Sequence, residues 1–212
     1  MIKKVIHGCL VGAALLALPA FLKPAILGEA HIWILIVLGI LATIYQPAYK
    51  AGEGSRTAED RGTAVQIVWT IYLIQLAAVL EAAILRYPQS FTFDWISLLA
   101  LLFMLAGLAL RTISVRTLGK YFTWNVEVQE NQEVIKSGPY QFVRHPSYTG
   151  AWMTYWASTF FLHSWIAAAA ATLLLPLAFF RRIHHEEALL KNTFSDYAEY
   201  TKTTKALIPW LI

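Results

Sequence analysis

The sequence predicts an all-α, polytopic integral membrane protein with about six transmembrane helices, the last two forming a helical hairpin. Three observations carry this. Apolar residues make up 58% of the 212 and charged residues only 14%, against roughly 25% charged in a typical soluble domain. The apolar residues gather into runs approaching the about 20 residues that a helix needs to cross a hydrocarbon core. The 17 Lys and Arg residues fall between or at the ends of those runs. With a mean hydropathy of +0.52, so little polar surface could not cover a soluble globule of this size. A disordered chain and a small disulfide scaffold are likewise excluded. The net charge of +4 would suggest a nucleic-acid partner in a soluble protein. Here the charges flank spans, so membrane lipids are the expected surroundings and no nucleic acid is expected.

The runs, in order, lie near Val5–Leu22, His31–Gln46, Ala64–Leu85 and Trp95–Val115, then Thr149–Leu162 and Trp165–Phe180. Only His163 and Ser164 separate the last two, so they must fold as a tight hairpin whose short arms cross a thinned bilayer or extend into the interface. Lys3 and Lys4 precede the first run as they would in a signal peptide. Leu18-Pro19-Ala20 is a poor cleavage site, so an uncleaved first span is expected. That run holds the single cysteine, Cys9. No intrachain disulfide is possible, and a buried, inert thiol is expected. With both termini on the cytoplasmic side, fifteen Lys and Arg lie inside and only Lys23 and Arg86 outside, a bias that fixes the expected orientation. Glu81, five residues before Arg86, reads as a snorkelling or paired carboxylate near the outer interface. Arg111, at the inner end of the fourth run, could bind an anion or snorkel.

The polar segments differ in what they offer. The Lys50–Thr63 loop contains Gly52-Glu53-Gly54, half of a dinucleotide fingerprint without its third glycine or a preceding strand, and is expected to be a cytoplasmic loop. A nucleotide-containing ligand would have to bind by another architecture. The stretch Leu118–Ser147 is amphipathic, carries Trp124 and Asn125, and leads into a run from Gly138 to Gly150. Gly138-Pro139 marks a turn. Pro146 suits the first turn of a helix, whose amides around Tyr148–Gly150 would attract an anion, with Arg144 beside them. Either a ligand site or a headgroup anchor would use this pattern. The last helix continues through Arg181-Arg182-Ile183-His184-His185-Glu186-Glu187. A zinc-protease motif would need a second His at 189, which is Leu, so no metal site is expected. Glu187 and Lys191 are spaced for an i,i+4 ion pair. Phe194, Tyr197, Tyr200 and Trp210, on a basic tail, suit interfacial docking.

Taken together, Gly138-Pro139-Tyr140, Arg144-His145-Pro146-Ser147-Tyr148-Thr149-Gly150, Glu186-Glu187, Phe194, Tyr197, Tyr200 and Leu207-Ile208-Pro209 resemble the isoprenylcysteine carboxyl methyltransferase family. Phospholipid methyltransferases belong to the wider group. The resemblance implies a division into residues 1–117, transmembrane helices without a recognised motif, and residues 118–212, a methyltransferase core within the same membrane domain. It implies S-adenosylmethionine as cofactor, a cytoplasmic pocket built from the polar loop, the hairpin and the C-terminal helix, and a lipophilic acceptor entering from the bilayer. The implied cofactor contacts are Gln132, Gly138, Tyr140, Arg144, His145, Pro146, Tyr148, Gly150, Glu186 and Glu187. Arg144 and Glu187 are the candidate catalytic pair, and Trp124 and Lys205 the candidate acceptor contacts. Two positions depart from the family pattern. Gln132 stands where many members have His, and Lys205 is the cation nearest the Ile-Pro end where prenylcysteine-methylating members often have Arg. A carboxylate acceptor needs no general base, because it is already ionised; an amine or thiol would need one, for which Glu187 or His145 are candidates. The alternatives are a sterol-reductase-like NADPH enzyme, which has a similar C-terminal block, and a non-enzymatic transporter or scaffold.

Overall fold

All six apolar runs fold as helices, and what each helix does at its ends explains where it stops. The structure, a computed structural model, describes residues 1–46 and 59–209. Gly52-Glu53-Gly54 and Trp210 therefore lie outside the described residues. Helix α1 (Ile2–Leu22) turns through a short 3-10 segment at Pro24–Gly28 into α2 (Ala30–Tyr45). The two cross closely at Gly8, where a Cβ would sit 2.7 Å from the Thr43 hydroxyl. Lys4 donates to the carbonyls of Ile44 and Gln46 at 3.0 and 3.2 Å. It thus satisfies acceptors that the end of α2 leaves open and places a cation at its negative pole.

Helix α3 (Thr63–Leu80) runs on through one wide π turn, Glu81–Leu85. Helix α4 (Trp95–Leu118) begins with a capping box in which the Asp94 carboxylate accepts from the Ser97 amide and the Ser97 hydroxyl accepts from the Asp94 amide, both at 2.9 Å. Helices α5 (Pro146–Phe161) and α6 (Trp165–Thr193) form the expected hairpin, and α7 (Tyr197–Thr203) follows. Among the described residues there is no strand, only one isolated parallel bridge between Val143 and Lys205.

Four of these helices are long and apolar enough to cross a membrane: α1, α3 with its extension, α4 and α6. Helices α2 and α5, at 16 residues each, reach only about 24 Å at 1.5 Å per residue, short of a hydrocarbon core of about 30 Å.

The bundle has two chemically different ends. At one, Glu81 accepts from the Ile166 and Ala167 amides at 3.1 and 2.9 Å and from Arg86 at 2.9 Å. The expected paired carboxylate is therefore also the anion at the start of α6. His163, in the hairpin turn, faces the Asp94 carboxylate at 3.1 Å, and the Ser164 hydroxyl donates to the Ala78 carbonyl at 2.7 Å. At the other end, Arg111 is buried and does not snorkel. Its Nε donates to Gln46 at 2.7 Å and its Nη1 to the Ser147 carbonyl at 3.1 Å, tying α2, α4 and α5 together.

Two close-packed glycines hold α4 against α5. A Cβ on Gly107 would lie 2.7 Å from the Gly150 carbonyl, and one on Gly150 would lie 2.6 Å from the Arg111 amide nitrogen. The outward faces are apolar, with Trp69, Leu73, Leu102, Leu173 and Leu177 all exposed. Cys9 corrects an expectation. It is exposed, because α1 sits at the side of the bundle with only 11% of its apolar window buried.

Candidate active site

The polar end of the bundle contains a cavity built from the end of α4, the segment 119–145, the start of α5, the inner end of α6 and α7. Local sequence explains its shape. Gly138 adopts φ +58° beside Thr117, a conformation that favours glycine, and starts a short 3-10 turn through Gln141. Pro146 opens α5 at its first position, leaving His145 in a non-helical conformation (φ −125°, ψ 55°). That break presents Arg144 and His145 to the cavity while Tyr148 follows on the first turn.

Two hydrogen-bonded groups meet there. In the first, the Glu187 Oε1 receives Arg144 Nε at 2.7 Å, Arg144 Nη2 at 2.6 Å and His145 Nε2 at 3.1 Å, and its other oxygen receives Lys191 at 3.3 Å. An ionised carboxylate only accepts, so His145 carries its proton on Nε2. Arg144 Nη1 donates to the carbonyls of Thr201 and Thr204. The Arg144 and His145 amides donate to the Lys205 and Ala206 carbonyls at 2.8 and 2.9 Å. The Thr149 hydroxyl donates to the Leu207 carbonyl at 2.8 Å. The tail after α7 is thereby strapped along the cavity edge.

The second group is centred on Tyr148. Its hydroxyl donates to Glu186 Oε2 at 2.7 Å and accepts from Arg182 Nε at 3.1 Å. Its ring stacks on His145 and Phe179, each with centroids 5.6 Å apart. Arg182 also reaches Asp60, Thr63 and the Trp124 carbonyl. Glu186 faces the cavity, and its Oε1 has His145 Nδ1 4.0 Å away.

Two tyrosines complete the wall. Tyr200 donates to the Tyr140 carbonyl, and Tyr140 to the Ser114 carbonyl at 3.3 Å. Burial pushes the Tyr200 phenol up to about 12 and raises Tyr140 further. Both therefore remain neutral donors across the physiological range.

Of the expected contacts, Gln132, Tyr140, Arg144, His145, Tyr148 and Glu186 line the cavity. Gln132 also accepts from the Gln129 amide at 2.8 Å. Glu187 stands behind Arg144 and His145. Gly138, Pro146 and Gly150 shape the backbone from outside the lining. Trp124 is half-buried next to the site, with Arg111 5.6 Å from its ring centroid. The Lys205 side chain is exposed, and its backbone alone joins the site. Arg182 and Asn125 line the cavity, and Asp60 reaches it only through Arg182; none of the three was assigned a role from sequence. Arg182 lies four residues before Glu186, so helical periodicity puts them on one face, and that spacing was a usable signal. The Asn125 Oδ1 is buried in the cavity wall with no donor among the described residues.

An apolar helical bundle with a charged cavity at one end defines a membrane protein with a polar site at one end of its spans. Residues 98–192 match the isoprenylcysteine carboxyl methyltransferase family, a stretch from the first turns of α4 to the last turn of α6. The chain is 31% identical over 144 residues to protein-S-isoprenylcysteine O-methyltransferase B of Arabidopsis thaliana, covering 66% of this chain and 73% of that protein. It is 26% identical over 163 residues to a probable protein-S-isoprenylcysteine O-methyltransferase of Oryza sativa subsp. indica, covering 76% and 84%. It is 31% identical over 131 residues to protein-S-isoprenylcysteine O-methyltransferase of Schizosaccharomyces pombe, covering 59% and 56%. The chain belongs to the isoprenylcysteine carboxyl methyltransferase family and is a membrane methyltransferase. The NADPH reductase and transporter readings are not favoured.

Proposed function

We propose that the protein transfers a methyl group from S-adenosylmethionine to the carboxylate of a prenylated cysteine or closely similar lipophilic acid, at the cytoplasmic face. The observation that carries this is the division of labour between the adjacent acids. Glu187 is saturated by Arg144, His145 and Lys191, whereas Glu186 keeps one oxygen toward the cavity.

The residues present fit the proposed cofactor. The unpartnered Asn125 Oδ1 and the Glu186 Oε1 are acceptors for amino, ammonium or hydroxyl groups, and Tyr121 and Phe122 offer aromatic surface on the same wall. When bound, S-adenosylmethionine supplies an electrophilic methyl on a sulfonium. The protein's own part is positioning and charge placement. Glu186 sets negative charge where a cationic ligand must sit. Arg144, held by Glu187 and by the tail carbonyls, sets a fixed guanidinium toward the acceptor carboxylate. Glu187, saturated by its donors, is not free to act as a base, and His145, donating to it through Nε2, keeps only Nδ1 as an acceptor, a nitrogen that faces Glu186 at 4.0 Å rather than an open position. That favours an acceptor already ionised over an amine or thiol. The apolar faces of the helices give a hydrocarbon-bearing acceptor access from the side, and the excess of cations at this end supports a cytoplasmic position for it.

Calorimetry on detergent-purified protein should show saturable binding of S-adenosylmethionine and S-adenosylhomocysteine and none of NADPH. Labelled methyl transfer should then favour a prenylated cysteine over its methyl ester and over phosphatidylethanolamine. Heat with NADPH and no response to either sulfur compound would overturn the reading. Faster methylation of the phospholipid would overturn the choice of acceptor.

A further inference from the structure

The match to the family begins at residue 98, yet a side chain from the preceding half of the molecule reaches the cavity network. Asp60, on the turn before α3, is fully buried. Its carboxylate accepts from Thr63 Oγ1 at 3.1 Å and from Arg182, itself only 3% exposed. Each nitrogen of Arg182 in turn has at least one acceptor. Nη1 serves Asp60 and Thr63, Nη2 the Trp124 carbonyl, and Nε the Tyr148 hydroxyl.

The polarity of this chain of bonds runs one way. A guanidinium has only donors, so the Tyr148 oxygen must accept from it. The Tyr148 hydrogen is therefore directed to Glu186 Oε2. With Oε2 committed, Oε1 is the oxygen presented to a ligand.

We propose that Asp60 is a positioning residue for Glu186, acting through Arg182 and Tyr148, so that a residue outside the 98–192 stretch sets the orientation of the cofactor-facing carboxylate. This rests on the methyl-transfer reading above. Asp60 makes no contact with the cavity. Its carboxylate fixes which way the guanidinium lies, and a rotated guanidinium would leave the Tyr148 hydroxyl free to turn away from Glu186.

The test measures S-adenosylhomocysteine binding by calorimetry, well below the unfolding temperature of each variant. Asp60→Asn should weaken binding at least tenfold with the KM for a prenylcysteine acceptor changed less than threefold. Asp60→Glu, which keeps the ion pair, should stay within threefold of wild type. Tyr148→Phe removes the middle link, so adding Asp60→Asn to it should weaken binding less than threefold further. Arg182→Lys keeps a cation for Asp60 and loses the donor to Tyr148; it too should weaken binding at least tenfold. This variant decides the matter where Asp60→Asn does not fold. A folded Arg182→Lys with wild-type affinity, or effects of Asp60→Asn and Tyr148→Phe that multiply, would overturn the proposal. So would a lowered unfolding temperature for Asp60→Asn with unchanged affinity. Wild-type protein that does not bind S-adenosylhomocysteine would overturn the methyl-transfer reading and this proposal with it.

Discussion

Glu187 accepts from three side chains at once, and both it and Arg144 are largely withdrawn from water, with side chains 11% exposed. Removing one partner of a buried charge pair typically costs about 3–5 kcal/mol, because the other is left uncompensated. Arg144→Lys avoids that by keeping the charge and removing only the planar fork, which spans Glu187 on one side and two carbonyls on the other. Arg144→Lys and Glu187→Gln should each lower labelled methyl transfer at least tenfold per folded molecule. Lys202→Gln should change it less than threefold, since Lys202 and Glu199 are 72% and 70% exposed, and such pairs are worth about 0–1 kcal/mol. Lys205→Gln should also change it less than threefold, because only the backbone of Lys205 serves the site. At this scale the sequence was informative where chemistry is local. The spacing of Arg144, His145 and Tyr148, and the adjacent Glu186 and Glu187, marked residues that do converge. It was silent on Asp60, whose partner lies 122 residues further along the chain; nothing in either neighbourhood encodes that distance. Lys205 was singled out as the cation nearest the Ile-Pro end where family members often have Arg, and neither charge nor position says which way a side chain faces.

The helices owe their arrangement to a few small residues. Gly107 and Gly150 let α4 and α5 approach until a Cβ on either would stand under 3 Å from a backbone atom of the other helix. Gly150→Ala and Gly107→Ala should each lower the midpoint of thermal unfolding, consistent with the about 1–3 kcal/mol typical of overpacking. Gly12→Ala provides the comparison. A Cβ there would be 3.7 Å from Ile36, an ordinary contact, and alanine is the better helix former by up to about 1 kcal/mol, so the midpoint should not fall. A midpoint for Gly150→Ala at or above wild type would contradict the close packing. Hydropathy located α1 to α6, because an apolar run needs only composition to be seen. It could not distinguish a glycine that contacts a ligand from one that admits a neighbouring helix, since both are simply places where a side chain would not fit.

For the molecule as a whole, the two ends differ in what they hold. Lys4, Asp60, Arg111, Arg144 and Arg182 gather at one, and Glu81, Arg86, Asp94 and His163 at the other. The charge bias separated these two groups before any coordinates did, because chain order and helix length leave little choice of which end a loop occupies. With Cys9 replaced, a single cysteine placed between Tyr87 and Asp94 should be labelled from outside intact cells by an impermeant reagent, and one at Lys136 or Lys202 should not. Strong external labelling at Lys202 would reverse the orientation. Arg111 shows where this coarse reading stops. Position alone allowed an anion site or a snorkelling end, and only the packing of three helices makes it a tie between them.

The strap formed by residues 200–207 along Tyr140, Arg144, His145 and Thr149 has a bearing on how the protein comes into being. It follows, in chain order, every membrane helix among the described residues. A nascent chain can therefore insert and pack its whole bundle while the cavity edge still lacks its last row of carbonyl acceptors. During that interval the Arg144 guanidinium has Glu187 and no second anchor. Completion of the site thus comes after these helices have been made, and their insertion is separated in time from the acquisition of a finished binding surface.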